Sequence, residues 1–172
     1  MGDAGGALTR NRQAALSAIT AAQDGGDFPA ATLTLLPGEG VADDPDPDSI
    51  AARLAAMRPR DLAAGRTLTG PHRADLGATW GPQDMPAALS STGEQKALLL
   101  SLILANARAL SDQPVLLLLD EVAAHLDPVR RLALFERLAG RGQVWMTGTE
   151  PELFAGIGAD ARRIAVHPGR TG

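Results

Sequence analysis

The rhythm of apolar and polar positions changes twice along this chain, and each change predicts a different kind of structure. Residues 8–23 place Leu8, Ala15, Ile19 and Ala22 at roughly helical spacing and stop before Gly25 and Gly26, which predicts a helix, or the tail of a longer one. Residues 31–36 alternate Leu with Thr, the period-two pattern of a short strand. Residues 37–48 have no period, and Pro37, Gly38, Asp43, Asp44, Pro45, Asp46, Pro47 and Asp48 make them an acidic Pro-rich loop. Ser49 is expected to cap a helix to about Arg58, with Ile50, Leu54 and Met57 on one face. Residues 60–65 continue or restart that helix, and residues 66–80 read as strand, turn and strand around Gly70, Pro71, His72 and Arg73.

From Ser90 onward strands and helices alternate. A helix over 93–110 opens with a capping-box spacing, Ser91 followed three residues later by Glu94. Residues 115–119 are apolar at every position, as expected of a strand covered on both faces in a parallel sheet. Asp127 and Pro128 predict an N-cap and first helical residue, and Gly140 closes that helix. Residues 143–147 read as another strand, Thr149 with Glu152 as the start of a short helix, and 163–167 as a last strand. The alternation predicts a doubly wound α/β layer.

Composition narrows the picture. Aromatic residues are 3% of the chain with no Tyr, so Ala and Leu must build the core. A net charge of −4 gives no global attraction to nucleic acid, and any DNA contact must come from a local basic face. Arg53, Arg58, Arg60, Arg66 and Arg73 cluster in sequence and could supply one; each also reads as part of a solvated helix face. No aromatics interleave with them, which gives no support for stacking on single-stranded bases. The absence of Cys excludes disulfides, thiolate zinc sites and Cys nucleophiles, and fits a reducing cytoplasm. The longest apolar stretch, 97–107, is interrupted by Ser101 and Asn106 and is too short to span a bilayer. No secretory signal is visible, so the expectation is a cytoplasmic chain with no membrane partner.

Two segments carry candidate chemistry. Asp120 and Glu121 follow the most apolar strand, and in α/β sheets ligands bind beyond the C-terminal strand ends. An Asp there can hold Mg²⁺, mostly through water, and the adjacent Glu can polarise an attacking water. The pair also reads as two solvated carboxylates closing a strand. The turn Ser90, Ser91, Thr92, Gly93 opens a helix whose N-terminal N–H groups suit a phosphate, and Gly93 allows close approach. An ordinary helix cap explains the same residues in isolation. The order of cap, apolar helix, apolar strand, Asp-Glu and then Leu126-Asp127 favours the nucleotide reading. No Gly-x-x-x-x-Gly-Lys-Ser/Thr phosphate loop occurs, so the chain reads as part of a larger machine. His72 beside Arg73 can contact DNA or a phosphate, or serve as a hydrogen-bonding group of a tight turn.

Residues 90–150 resemble the C-terminal half of an ABC-type ATPase head of the structural-maintenance-of-chromosomes-like group. The element from Gly70 to Leu76 (Gly-Pro-His-Arg-Ala-Asp-Leu), the signature Ser91-Thr92-Gly93-Glu94-Gln95-Lys96 and Thr147-Gly148-Thr149 look like the RecF family of DNA replication and repair proteins. The resemblance implies an α/β chain, with residues 66–172 as the C-terminal half of the P-loop NTPase head (a parallel sheet flanked by helices). Residues 1–65 would be the remnant of a helical or α+β second lobe. It further implies that Ser91, Thr92, Gly93 and Glu94 touch the γ-phosphate of ATP held by a second protomer. Asp120 would serve Mg²⁺, Glu121 would orient the hydrolytic water, and His125 to Asp127 would communicate across the dimer. Thr147 and Thr149 stand where many such ATPases carry a switch His, so γ-phosphate sensing would rest on their hydroxyls or be weaker.

Arg58, Arg60, His72 and Arg73 would face DNA at gaps or strand junctions. The family resemblance implies a homodimer that closes on ATP and opens on slow hydrolysis, partnership with RecO and RecR mediators, and a role in recombinational repair and the SOS response. By itself this chain is expected to be inactive as an ATPase. The alternatives are a transporter motor, an overcoming-lysogenisation-type nuclease, or a non-enzymatic interaction module. Transporter motors lack the Gly-Pro-His-Arg element and usually keep the switch His.

Overall fold

The computed structural model describes residues 1–38, 41, 46–81, 84–110, 112–167 and 170–171. Half of the expected acidic loop, including Asp43, Asp44 and Pro45, lies outside the described residues. The chain forms two compact units, Met1–Ala109 and Leu110–Gly172.

In the first unit, α1 (Gly2–Ala22) packs against α2 (Pro47–Ala64), α3 (Thr92–Ala109) and β1 (Ala31–Leu36). β1 pairs antiparallel with β2 (Asp75–Trp80), Ala31 opposite Trp80 and Leu36 opposite Asp75, and β2 pairs antiparallel with β3 (Met85–Pro86). The alternation seen in sequence is real in β1: Thr32 and Thr34 are exposed while Ala31 is buried and Leu33 and Leu35 are half-buried. Phe28, Ile50, Met57, Leu98, Leu100, Leu104 and Ala105 form the core, and burying each large side chain contributes about 1.5–3 kcal/mol. At the far end of α3, Arg108 makes a two-pronged ion pair with Asp24.

Two local expectations for this unit are corrected, and a third, that residues 60–65 continue α2, is met. Asp46, not Ser49, caps α2: its carboxylate accepts from the Ser49 N–H at 2.9 Å, with Pro47 in the first turn where no N–H is needed. The helix runs unbroken past Pro59 to a left-handed Gly65; Ala55 and Pro59 both lie on its exposed side, where water can take up the carbonyl that Pro59 leaves without a donor. Residues 66–70 form no strand, because the chain turns sharply at Gly70 (φ 124°) into a single 3₁₀ turn, Pro71–Arg73.

The second unit contains β4 (Leu116–Leu119), α4 (Pro128–Leu138) and β5 (Gln143–Met146). β4 and β5 are parallel neighbours, Leu116 opposite Gln143 and Leu119 opposite Met146, joined through α4. Asp127 caps α4 as expected, accepting from the Arg130 N–H at 2.9 Å. Leu117, Leu119, Ala123, Leu126, Leu134, Phe135, Leu138 and Leu153 are buried, and Phe135 stacks on Phe154 with ring centroids 6.3 Å apart. The expectation that this strand is covered on both faces is overturned: Leu116 is 54% and Leu118 72% exposed, and Trp145, opposite Leu118, is 51% exposed. The segment after Thr149 forms a 3₁₀ turn, Pro151–Phe154, with no side-chain cap. The expected last strand shrinks to β6 (Val166–His167), which pairs with β7 (Arg170–Thr171) in a hairpin.

Candidate functional site

In the first unit the expected DNA-facing residues do not share one surface. Arg58 and Arg60 are two positions apart on α2 and so point about 200° apart around its axis. Ile50, Leu54 and Met57 form the inward stripe between them; Arg53 and Arg60 flank it on one side and Arg58 on the other. His72 and Arg73 are exposed in the Pro71–Arg73 turn. His72 Nε2 lies 3.3 Å from the Thr67 carbonyl, the structural role weighed for it in sequence. The turn itself is anchored by Arg12, whose guanidinium donates to the Pro71 carbonyl at 2.6 Å. Gly38 packs so close to Gly70 that a Cβ there would stand 2.1 Å from the Gly70 carbonyl oxygen. Arg12 was not singled out in sequence and Gly38 was read only as a loop residue, because their partners are 59 and 32 residues away.

At the start of α3 the capping box forms. The Glu94 carboxylate accepts from the Ser91 N–H at 2.8 Å and from its hydroxyl at 2.7 Å, while the Glu94 N–H approaches the Ser91 hydroxyl at 3.4 Å. Gln95 donates to the Ala88 and Ser90 carbonyls at 3.2 and 3.1 Å, pinning the preceding turn. Buried Ser90 accepts from the Trp80 indole N–H at 2.7 Å, which ties the end of β2 to this turn. Ser91, Thr92 and Gly93 are exposed. A Cβ on Gly93 would meet nothing within 4 Å and its φ is not positive, so nothing inside the fold requires glycine there.

The second unit brings Asp120, Glu121 and Thr147 together. The Thr147 hydroxyl donates to Asp120 Oδ1 and accepts from the Glu121 N–H at 3.1 Å. The Thr147 N–H donates to the Leu119 carbonyl at 3.0 Å, extending the β4–β5 pairing by one residue. Glu121 is half-buried with φ 52°, a left-handed conformation that a non-glycine residue adopts only when its surroundings hold it there. It opens the 3₁₀ turn Val122–His125, which packs against the turn Pro151–Phe154. His125, Asp127 and Thr149 are exposed nearby in sequence; Asp127 is engaged as the α4 cap and in a 3.6 Å ion pair with Arg130. Among the described residues no three His, Asp or Glu side chains cluster as a metal site, and no helix is long and apolar enough to cross a membrane.

Comparison with known proteins fits this arrangement. No family model matches the chain. It is similar to a recombination mediator protein RecF with ATP, from the RecFOR pathway, at TM-score 0.67 and 21% identity, covering 88% of this chain and 43% of that one. The corresponding RecF structure with ATPrS gives 0.62 and 21%, covering 83% and 40%. The fold is therefore α/β and that of part of an ABC-type ATPase head. Among sequences, the chain is 48% identical over 157 residues to the DNA replication and repair protein RecF of Rhizobium meliloti, covering 84% of this chain and 41% of that protein. It is 49% identical over 169 residues to RecF of a Caulobacter species, covering 90% and 43%. It is 56% identical over 117 residues to RecF of Brucella abortus, covering 66% and 30%. The chain belongs to the RecF family, and it spans less than half the length of these relatives. The transporter-motor and lysogenisation-type alternatives are not favoured.

Proposed function

We propose that this chain is part of a RecF-like DNA repair protein that binds ATP and DNA and dimerises on ATP. The observation that carries the reading is the 48–56% identity to proteins named DNA replication and repair protein RecF. Asp120, at the end of β4, has one oxygen engaged by Thr147 and stands exposed, which fits a hard cation held mostly through water and phosphates. Mg²⁺ held there would neutralise phosphate charge. Glu121 orients the attacking water as general base. Ser91, Thr92, Gly93 and Glu94 meet the γ-phosphate of ATP bound by a second copy, with the N-terminal N–H groups of α3 as donors. In that contact the Ser91 hydroxyl exchanges its bond to Glu94 for one to phosphate. The exposed glycine that the fold does not require is the support for such an approach. His125 and Asp127 line the dimer contact, and Thr149 offers an exposed hydroxyl.

DNA is met by scattered arginines, Arg60 and Arg73 among them, through phosphates and without sequence preference. RecO and RecR are the partners that the RecFOR setting of the similar structures suggests.

The test is a chimera in which this chain replaces the matching segment of the Caulobacter relative. Glu121→Gln in that chimera is expected to keep ATP binding and lower hydrolysis by about a hundredfold or more. Unchanged turnover would remove Glu121 from the reaction.

A further inference from the structure

Thr147 has more partners than a surface hydroxyl needs. A threonine hydroxyl has one proton to give and two lone pairs. Here the proton goes to Asp120 and a lone pair takes the Glu121 N–H, so one side chain at the end of β5 spans two adjacent residues at the end of β4. Its backbone is held as well, by the Leu119 carbonyl on one side. On the other side Gly148 is pressed against Phe154, where a Cβ would come within 2.7 Å of the ring. Phe154 is stacked in turn on Phe135, which is buried. The residue this arrangement holds, Glu121, sits in a conformation costing on the order of 1 kcal/mol that nothing in its own side chain favours.

We infer that Thr147 is a positioning residue: it holds Glu121 in its left-handed conformation and fixes the orientation of the Asp120 carboxylate. This rests on the reading of Asp120 and Glu121 as the hydrolytic pair, and it changes the part expected of Thr147. With its only proton donated to Asp120, the hydroxyl has none to offer a γ-phosphate unless that bond breaks. Thr149, exposed two residues on, is then the hydroxyl available for a phosphate. A switch at this position therefore acts through Asp120 and Glu121 rather than by direct contact.

Amide hydrogen exchange by NMR on the 172-residue chain tests the bridge without nucleotide. Thr147→Val keeps the shape and removes the hydroxyl. The Glu121 amide is expected to exchange up to about tenfold faster, with core amides such as that of Leu134 unchanged, and Thr147→Ser is expected to restore the slow rate. An unchanged Glu121 rate in Thr147→Val, or a Ser variant as fast as Val, overturns the inference. If Thr147→Val also releases core amides, the wild-type chain decides. A slowly exchanging Thr147 hydroxyl proton close to the Glu121 amide supports the bridge, and a freely exchanging one overturns it. In the chimera, Thr147→Val should lower kcat about tenfold with nucleotide Kd unchanged and Ser restoring the rate. Normal exchange effects with unaltered kcat would leave the bridge standing and overturn the hydrolytic reading of the pair.

Discussion

The start of α3 and the end of β4 both present candidate phosphate chemistry, and they are built in opposite ways. At α3 the polar groups satisfy one another within four residues: Ser91 and Glu94 close a reciprocal cap that any helix could use. At β4 the groups are held from elsewhere, Asp120 and Glu121 by a hydroxyl 27 and 26 residues away, with Glu121 in a strained backbone conformation. The first region is stable by itself and open to an incoming partner. The second is held in a conformation that local sequence does not favour, the usual condition of groups positioned for a reaction.

The two glycines of these regions sharpen the contrast. Gly148→Ala forces a Cβ against the Phe154 ring and should destabilise the second unit by about 1–3 kcal/mol, read by thermal or denaturant unfolding. A neutral result would mean that Phe154 is free to move and that the anchor behind Thr147 is loose. Ser91→Ala removes the capping hydroxyl and should lower the stability of the first unit by about 1 kcal/mol in the same measurement. Gly93→Ala enters open space and should change stability by no more than about 0.5 kcal/mol, while reducing ATP-dependent dimerisation of the chimera in light scattering. Full dimerisation with Ala at 93 would remove the argument that this glycine serves a partner's approach.

What could be read from sequence divides along the same line. The capping box was legible because Ser91 and Glu94 are neighbours whose spacing is the signal. The α4 cap was legible in Asp127-Pro128 for the same reason, and Asp46-Pro47 carries that same signal before α2, overshadowed by Ser49. Thr147 was noticed through the resemblance, at the place where many such ATPases carry a switch His, and not for any partner in this chain. Its bonds to Asp120 and Glu121 depend on the parallel pairing of β4 with β5, which no local pattern encodes. Nor does any local preference announce the positive φ of Glu121, since glutamate is not a residue that favours it. The apolar run 115–119 was read as a strand and forms one over Leu116–Leu119, but its composition does not tell which faces are covered. Leu116, Leu118 and Trp145 leave one face exposed. The basic residues are spread for a geometric reason: Arg58 and Arg60 are close in sequence and far apart around a helix.

In the proposed function these two regions serve one reaction from two different copies of the protein. Mixing two inactive chimeras tests it most directly, one carrying Ser91→Arg and the other Glu121→Gln, with ATP turnover as the readout. If the start of α3 acts on nucleotide bound by its partner, a mixed dimer contains one site with both regions intact and one with both altered. Turnover should then recover to about a quarter of the unaltered rate, since half of the dimers are mixed and each keeps one good site. A mixture no more active than the average of the two variants measured separately would mean that the start of α3 does not act on a partner's nucleotide.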